Sequence, residues 1–315
     1  MDVDSVVRGV LEGDRRAVAR AISLVEDGDP ALPRLIAGIF PATGRAWTVG
    51  LTGSPGVGKS SLGAELVQAV RRRDLKVSVL AIDPTSPFTG GALLGDRLRM
   101  QSHATDPGVF IRSMATRGHL GGLALAAPEA VRVLDAGGAD LIVLETVGVG
   151  QAEVEVATAA DTTLVVVAPG WGDAVQASKA GILEIADVFV VNKSDREGAN
   201  ETMRDLETML RLGPDLPWTP PVVKTSVQTH DGIDDLWEAV QAHRKHLEST
   251  GGLEERRRAR LLHEVEAMVA ERLRERAASL LEEGALESMA DDLVRRRIDP
   301  YTAADTLVET LGQEG

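Results

Sequence analysis

"TVGLTGSPGVGKSSL", residues 48–62, is the stretch that decides the fold of this 315-residue chain. Gly53, Gly58, Lys59 and Ser60 satisfy G-x-x-x-x-G-K-[ST], and the pattern stands after an apolar strand and before the helical run "KSSLGAELVQAVRRR". Glycines let backbone N–H groups turn inward around a β-phosphate, and the helix N-terminus adds the positive end of its dipole. Lys59 has the reach for the β- and γ-phosphates, and Ser60 has a hydroxyl oxygen for Mg²⁺. The candidate cradle is therefore Gly53, Ser54, Pro55, Gly56, Val57, Gly58, Lys59, Ser60 and Ser61. The loop alone leaves open whether the nucleotide is burned for work, donates a phosphate or switches a partner.

Outward from the loop, short apolar runs alternate with helical stretches: "WTVGLTG", "KVSVLAID", "VFIRSM", "DLIVLET", "TTLVVVAPG", "DVFVVNKSD" and "PPVVKTS". Buried parallel strands read as continuous Val/Ile/Leu runs, and this alternation predicts an α/β fold, a mostly parallel, doubly wound P-loop NTPase sheet. Residues 1–45 carry apolar groups at helical spacing (Val6, Val7, Val10, Ala17, Val18, Ala21, Ile22), then a break at Asp27–Pro30 before a second helix. They form an N-terminal helical extension to a nucleotide-binding domain over 46–250. Beyond it, within 251–315, residues 253–284 predict a long helix with Leu262, Val265, Val269, Leu273, Ala277 and Leu280 on one stripe flanked by Arg and Glu. Such a helix either packs back on its own domain or forms a helix-helix seam with another subunit, and spacing does not choose.

Composition narrows the partners. With 43% hydrophobic residues and a formal charge of −14, the chain can fill a core but has no basic excess for nucleic acid or an anionic membrane. There is no cysteine, which excludes disulfides and thiolate chemistry and is compatible with a reducing cytosol. No uncharged apolar stretch of about 18 residues and no signal-peptide core occur, so a soluble cytoplasmic protein is expected.

The base is read from "VVNKSD". Asp195 can accept both N1–H and the exocyclic amine of guanine, the Lys193 stem can lie along the base face, and Asn192 can brace the loop and reach N7. GTP is thus expected over ATP. In "KTSV", Ser226 and the backbone of Val227 are placed to meet the guanine O6, although Thr-Ser is also ordinary turn chemistry at a strand end. Carboxylates at the C-terminal edge of parallel strands face the ligand crevice, which makes Asp83 and Glu145 candidates for Mg²⁺ or its waters. Asp96 is a third candidate, with a helix cap or a solvated loop position as the alternative. With Lys59, Asp96 and Glu145 form the candidate catalytic set. Gly148 and Gly150 follow Glu145, where a backbone N–H can sense a γ-phosphate and release on hydrolysis. Gln151 can orient water there, or be a polar residue of a helix's first turn. Arg99, Arg112 and Arg117 are unranked candidates for switch salt bridges.

The strings "GSPGVGKSSL", "AIDPTSPFTGGALLGDRLRM", "FIRSMATRGHLGGLA", "VLETVGVGQAEVEVA", "APGWGDAVQASKAGILEIADVFVVNKSD" and "WTPPVVKTS" resemble the MeaB/ArgK family of P-loop GTPases, chaperones of adenosylcobalamin-dependent acyl-CoA mutases. They run from about residue 47 to 245, and the helical ends also fit the family. The resemblance implies a GTP/GDP- and Mg²⁺-dependent metallochaperone, homodimeric through its C-terminal arm. It would gate adenosylcobalamin delivery to a mutase and protect it. By the same resemblance Ser60, Asp83, Asp96 and Glu145 surround Mg²⁺, and "PGWGDAVQASKAG" is an additional switch with Asp173 and Lys179 as its matching charges. The segment departs from close relatives at Trp171 and Ala174–Val175, and the guanine loop at Ser226–Val227, which bears on which mutase is recognised.

Rival readings have their own signatures. A nickel-insertion GTPase needs Cys/His clusters, and the six histidines are scattered except for His243 and His246, whose spacing suits a solvated helix face. A kinase acting on amino-acid transport would need a catalytic loop, and no H-R-D occurs. A purely structural GTP-binding dimer is the third.

Overall fold

The computed structural model describes residues 2–84, 105–116, 122–146, 159–170, 185–282 and 285–313. All seven apolar runs form strands: β1 (Trp47–Thr52), β2 (Val77–Pro84), β3 (Val109–Thr116), β4 (Leu141–Thr146), β5 (Thr162–Val167), β6 (Val188–Val191) and β7 (Val222–Lys224). They make one sheet in the order β3-β2-β4-β1-β5-β6-β7, with every pair parallel. The chain leaves β1 toward β2, returns through β4, and passes β1 again to reach β5. The direction of winding therefore reverses at β1, and a crevice at the carboxyl end of that strand is where such sheets bind ligands.

The described helices are α1 (Val3–Leu11), α2 (Arg15–Glu26), α3 (Leu32–Ile39), α4 (Lys59–Arg71), α5 (Gly122–Ala136), α6 (Ala199–Leu212), α7 (Ile233–Thr250), α8 (Gly252–Glu282), α9 (Ala285–Val294) and α10 (Pro300–Gln313). The apolar period over residues 6–22 belongs to two helices rather than one. The chain breaks after Leu11, and the Asp14 carboxylate accepts the Ala17 N–H at 2.7 Å, capping α2.

Alternation along each strand sorts its side chains to the two faces. Trp47, Val49, Leu51, Val77, Val79, Leu141 and Val143 enter one core with Leu62, Leu66 and Val70 of α4 and Leu236 and Val240 of α7. Leu80, Ile82, Ile142 and Leu144 point the other way, into a core shared with Val6, Val10, Ile22, Leu35 and Ile39 of the N-terminal helices and Val133 and Leu134 of α5. Each such side chain, fully buried, contributes about 1.5–3 kcal/mol relative to exposure. The strands read as unbroken apolar runs because both faces are covered.

The N-terminal edge of the sheet carries a repeated device. Ala-Asp precedes β4, β5 and β6, and each aspartate accepts a backbone N–H from the adjacent strand or the residue leading into it: Asp140 from Lys76 at 2.7 Å, Asp161 from Thr48 at 3.1 Å and Asp187 from Thr163 at 2.8 Å. Two of them also hold the start of α8. Arg256 donates to both oxygens of Asp187 at 2.8 and 2.9 Å, while Arg257 and Arg260 donate to Asp161. Burial alone would raise the Asp161 carboxyl, but the Arg257 hydrogen bond and the charges of Arg260 and Arg257 outweigh it and hold it below the usual carboxylate range. Asp187 behaves alike, with His243 and Arg256 opposing its burial. His243 is not on a solvated face. It is 1% exposed, 3.2 Å from Asp187 through Nε2 and 2.9 Å from the Thr162 hydroxyl through Nδ1.

Residues Met1–Arg260 form one compact unit and Leu261–Gly315 a second. Of the predicted apolar stripe of α8, Leu262, Val265, Val269 and Leu273 are exposed and Ala277 is half-buried, while the Leu280 side chain lies outside what is described; Val294, Tyr301 and Val308 further on are exposed. Among the described residues no helix is long and apolar enough to cross a membrane.

Candidate nucleotide-binding site

The loop after β1 closes onto α4 at the carboxyl edge of the sheet. Gly53 has φ +137°, and a Cβ there would be driven into the Val166 carbonyl oxygen of the adjacent strand, so only glycine permits this approach. Gly58 caps α4 in the left-handed region at φ +97°, with Asn192 Nδ2 at 2.6 Å from where its Cβ would stand. Gly58, at the N-cap, has no side chain to accept the first N–H groups of α4, and the positive end of the helix is directed at the loop. The Lys59 ammonium is folded into the same loop, donating to the Gly53 carbonyl and, at 3.4 Å, to that of Ser54.

Ser60 and Glu145 meet across the sheet. The Ser60 hydroxyl donates to Glu145 Oε1, and both residues are buried. Glu145 ends β4 opposite Leu51 of β1 on one side and Ala81 of β2 on the other. The backbone of Asp83 lies two residues further along β2, toward the same edge. A hydroxyl and a carboxylate, both hard oxygen donors, beside an ammonium and a helix N-terminus fit a nucleotide phosphate with its Mg²⁺.

The second half of the site follows β6. Asn192 is 1% exposed. Its Nδ2 donates to the Val57 carbonyl at 2.8 Å, and its Oδ1 accepts the Thr225 hydroxyl at 3.2 Å. One amide thus ties the phosphate loop to the strand end that carries Ser226. Lys193 has φ +58°, uncommon for a side-chain-bearing residue, and its Nζ reaches the Gly56 carbonyl at 2.6 Å. Its stem crosses from the strand end to the phosphate loop. Ser226 donates to Asp195 Oδ1 at 2.6 Å, and this bond, ahead of the charges of Arg196 and Lys193, holds the Asp195 carboxyl below its ordinary value. Asp195 is therefore an ionised acceptor at neutral pH, already oriented. Val227 is partly buried against the core below.

Gly53 to Ser61, Glu145, Asn192, Lys193, Asp195, Ser226 and Val227 thus gather along one edge. Asp96, Gly148, Gln151, Asp173 and Lys179 lie outside the described residues, as do Arg99 and Arg117. Arg112 makes its salt bridge with Glu26 of α2, beside the Ser23 hydroxyl at 3.0 Å. Sequence reasoning missed Thr225, which fixes the amide orientation of Asn192. It also missed the Asp161 and Asp187 anchors, although Ala-Asp before three successive strands and the arginine run at 256–258 were signals in plain view.

A family model described as "Methylmalonyl Co-A mutase-associated GTPase MeaB" matches residues 18–282. A Pyrococcus abyssi protein bearing a provisional GTPase title is 49% identical over 313 residues, 98% of this chain and 97% of its own length. The GTPase ArgK of Escherichia coli is 37% identical over 259 residues, 79% of this chain and 78% of its own. Among solved structures, that of the LAO/AO transport system kinase superposes with a TM-score of 0.73 at 26% identity, covering 98% of this chain and 97% of that one. With a phosphate loop, a braced N-K-x-D strand end and these relatives, the chain belongs to the methylmalonyl-CoA mutase-associated GTPase family, MeaB.

Proposed function

We propose that this GTPase is a homodimeric cytoplasmic switch that uses GTP binding and slow hydrolysis to gate adenosylcobalamin delivery to a partner acyl-CoA mutase and to protect it. The observation that carries the guanine half is Asp195, ionised and aimed by Ser226 on a strand end that Asn192 and Lys193 tie to the phosphate loop. A pocket whose buried polar groups match guanine leaves them unpaired against adenine, which is how such sites discriminate. The mutase half is supported by the family's own description.

In this reading Gly53 to Ser61 cradle the phosphates and Lys59 neutralises charge on the β- and γ-groups. Ser60, Asp83, Asp96 and Glu145 hold Mg²⁺ or its waters, and the ion supplies Lewis-acid neutralisation of the phosphate oxygens. Phosphoryl transfer to water needs positioning and charge neutralisation more than covalent chemistry, which suits a slow intrinsic rate. Gly148 and Gln151 form one switch, and Asp173 and Lys179 belong to a second that meets the mutase. The exposed stripe of α8 is the seam of the dimer, with a second copy as its occupant.

The experiment has two arms. Titration of GTP and ATP against wild type and Asp195→Asn should show guanine preference in the first and its collapse in the second; equal ratios would reject the base assignment. Adding adenosylcobalamin-dependent acyl-CoA mutases should accelerate GTP hydrolysis with the true partner. Silence across the panel would reject the chaperone reading.

A further inference from the structure

We propose that His230 and Glu65 are positioning residues for guanine recognition: their hydrogen bond clamps the Ser226–Asp231 turn, which orients Asp195, to the phosphate-loop helix. The proposal rests on the guanine assignment of the preceding subsection.

Three hydrogen bonds close the turn on itself. The Ser226 backbone N–H donates to the Asp231 carbonyl at 3.0 Å, the Thr229 N–H to the Ser226 hydroxyl at 3.3 Å and the Thr229 hydroxyl to Asp231 Oδ2 at 2.6 Å. The Ser226 hydroxyl in turn donates to Asp195. Its orientation is therefore set by how the turn closes. His230 stands directly before the closing residue Asp231, with φ +60°, in the left-handed region that histidine enters more readily than most side-chain-bearing residues. This backbone turns the ring toward α4, where His230 Nδ1 stands 2.8 Å from Glu65 Oε2.

Glu65 lies on α4, five residues after Ser60 on the helix that begins with Lys59. Its side chain is 17% exposed and thus held by packing, whereas that of His230 is 67% exposed and relies on the bond. The guanine side is consequently joined to the phosphate side at three points. Asn192 and Lys193 join it from within the site, and His230 joins it from outside. Loss of the outer tie leaves Asn192 and the P-loop intact and frees only the turn that aims Ser226 at Asp195. The expected signature is weaker reading of the guanine edge with an unchanged phosphate site.

The test compares GDP and IDP, because hypoxanthine lacks the exocyclic amine that Asp195 accepts. Variants are His230→Gly, which keeps the left-handed backbone accessible and removes the tie, Glu65→Ala, and the double variant. A half-exposed charge-assisted pair predicts that GDP affinity falls about 2- to 5-fold in each single variant and no further in the double. IDP affinity should change less, so the GDP/IDP ratio narrows. Glu65→Gln, which retains an acceptor, should restore most of the ratio. Unchanged GDP affinity and ratio in both single variants would overturn the proposal, as would equal losses for GDP and IDP, which mark a merely structural role. Failure of the wild-type protein to prefer guanine nucleotides would instead overturn the base assignment beneath it.

Discussion

Asp161→Asn is the perturbation that most directly tests how the sheet holds the start of α8. Asp161 is 0% exposed and takes four hydrogen bonds: from Arg257 Nε at 3.1 Å and Nη2 at 2.6 Å, from Arg260 Nη2 at 3.2 Å and from the Thr48 N–H at 3.1 Å. Asparagine keeps the shape and an acceptor for Thr48 but strips the charge facing two guanidiniums. Removing one member of a buried pair costs about 3–5 kcal/mol, because the remaining charge is left uncompensated. Arg257 still donates to the Gly44 and Ala46 carbonyls at 2.6 and 2.9 Å, and Arg260 to the Ala160 carbonyl at 2.9 Å. Both also keep partial access to water, so the lower end applies, about 3 kcal/mol.

The assay is urea unfolding followed by tryptophan emission, since Trp47 Nε1 bonds Thr162, the residue after Asp161, at 3.0 Å. With a slope of about 3 kcal/mol/M, the midpoint should fall by about 1 M at pH 7.5. The pH dependence has a definite sign. A carboxyl whose folded value is depressed contributes stability that is present above its unfolded value, about 3.9, and lost as pH falls through the lower folded value. The difference between wild type and variant should therefore persist at about pH 5 and shrink below about pH 4. A midpoint shift under about 0.3 M at pH 7.5, or a difference that survives undiminished into acid, would refute the ion-pair account.

Gly53→Ala should abolish nucleotide binding: a left-handed backbone costs about 1–3 kcal/mol in strain, and the added Cβ meets the Val166 carbonyl. Nucleotide titration checks it, and retained affinity would mean the loop can rearrange. Lys59→Ala should stop turnover, and phosphate release at the wild-type rate would remove Lys59 from the site. Val265→Asp combined with Val269→Asp should turn a dimer into a monomer in sedimentation, since the two residues are 57% and 52% exposed on the apolar stripe. An unaltered sedimentation coefficient would remove α8 from the seam.

The strands were legible because their burial is double-sided: a chain covered on both faces is apolar at nearly every position, as in Val188–Val191. The phosphate loop was legible for a different reason, since its geometry admits only glycine at Gly53 and Gly58. The break between α1 and α2 was not, because the apolar period runs on across it and only the Asp14 cap marks the restart. His243 was misjudged for a related reason. Its spacing from His246 suggested a wet helix face, while the Asp187 carboxylate and Thr162 hydroxyl that satisfy it come from 56 and 81 positions away.

By itself, then, the sequence determined the parallel sheet, the order of its elements and the types of residue that could hold a guanine nucleotide, because backbone conformation and hydrophobic period are local. Only the tertiary structure decided which partners those residues have. Asn192 faces Val57 rather than solvent, Ser226 aims Asp195, Arg112 goes to Glu26 instead of a switch, and Asp161 and Asp187 collect the arginines of α8. Each of these joins groups distant in the chain, and a hydrogen bond between such groups leaves no period in sequence to read.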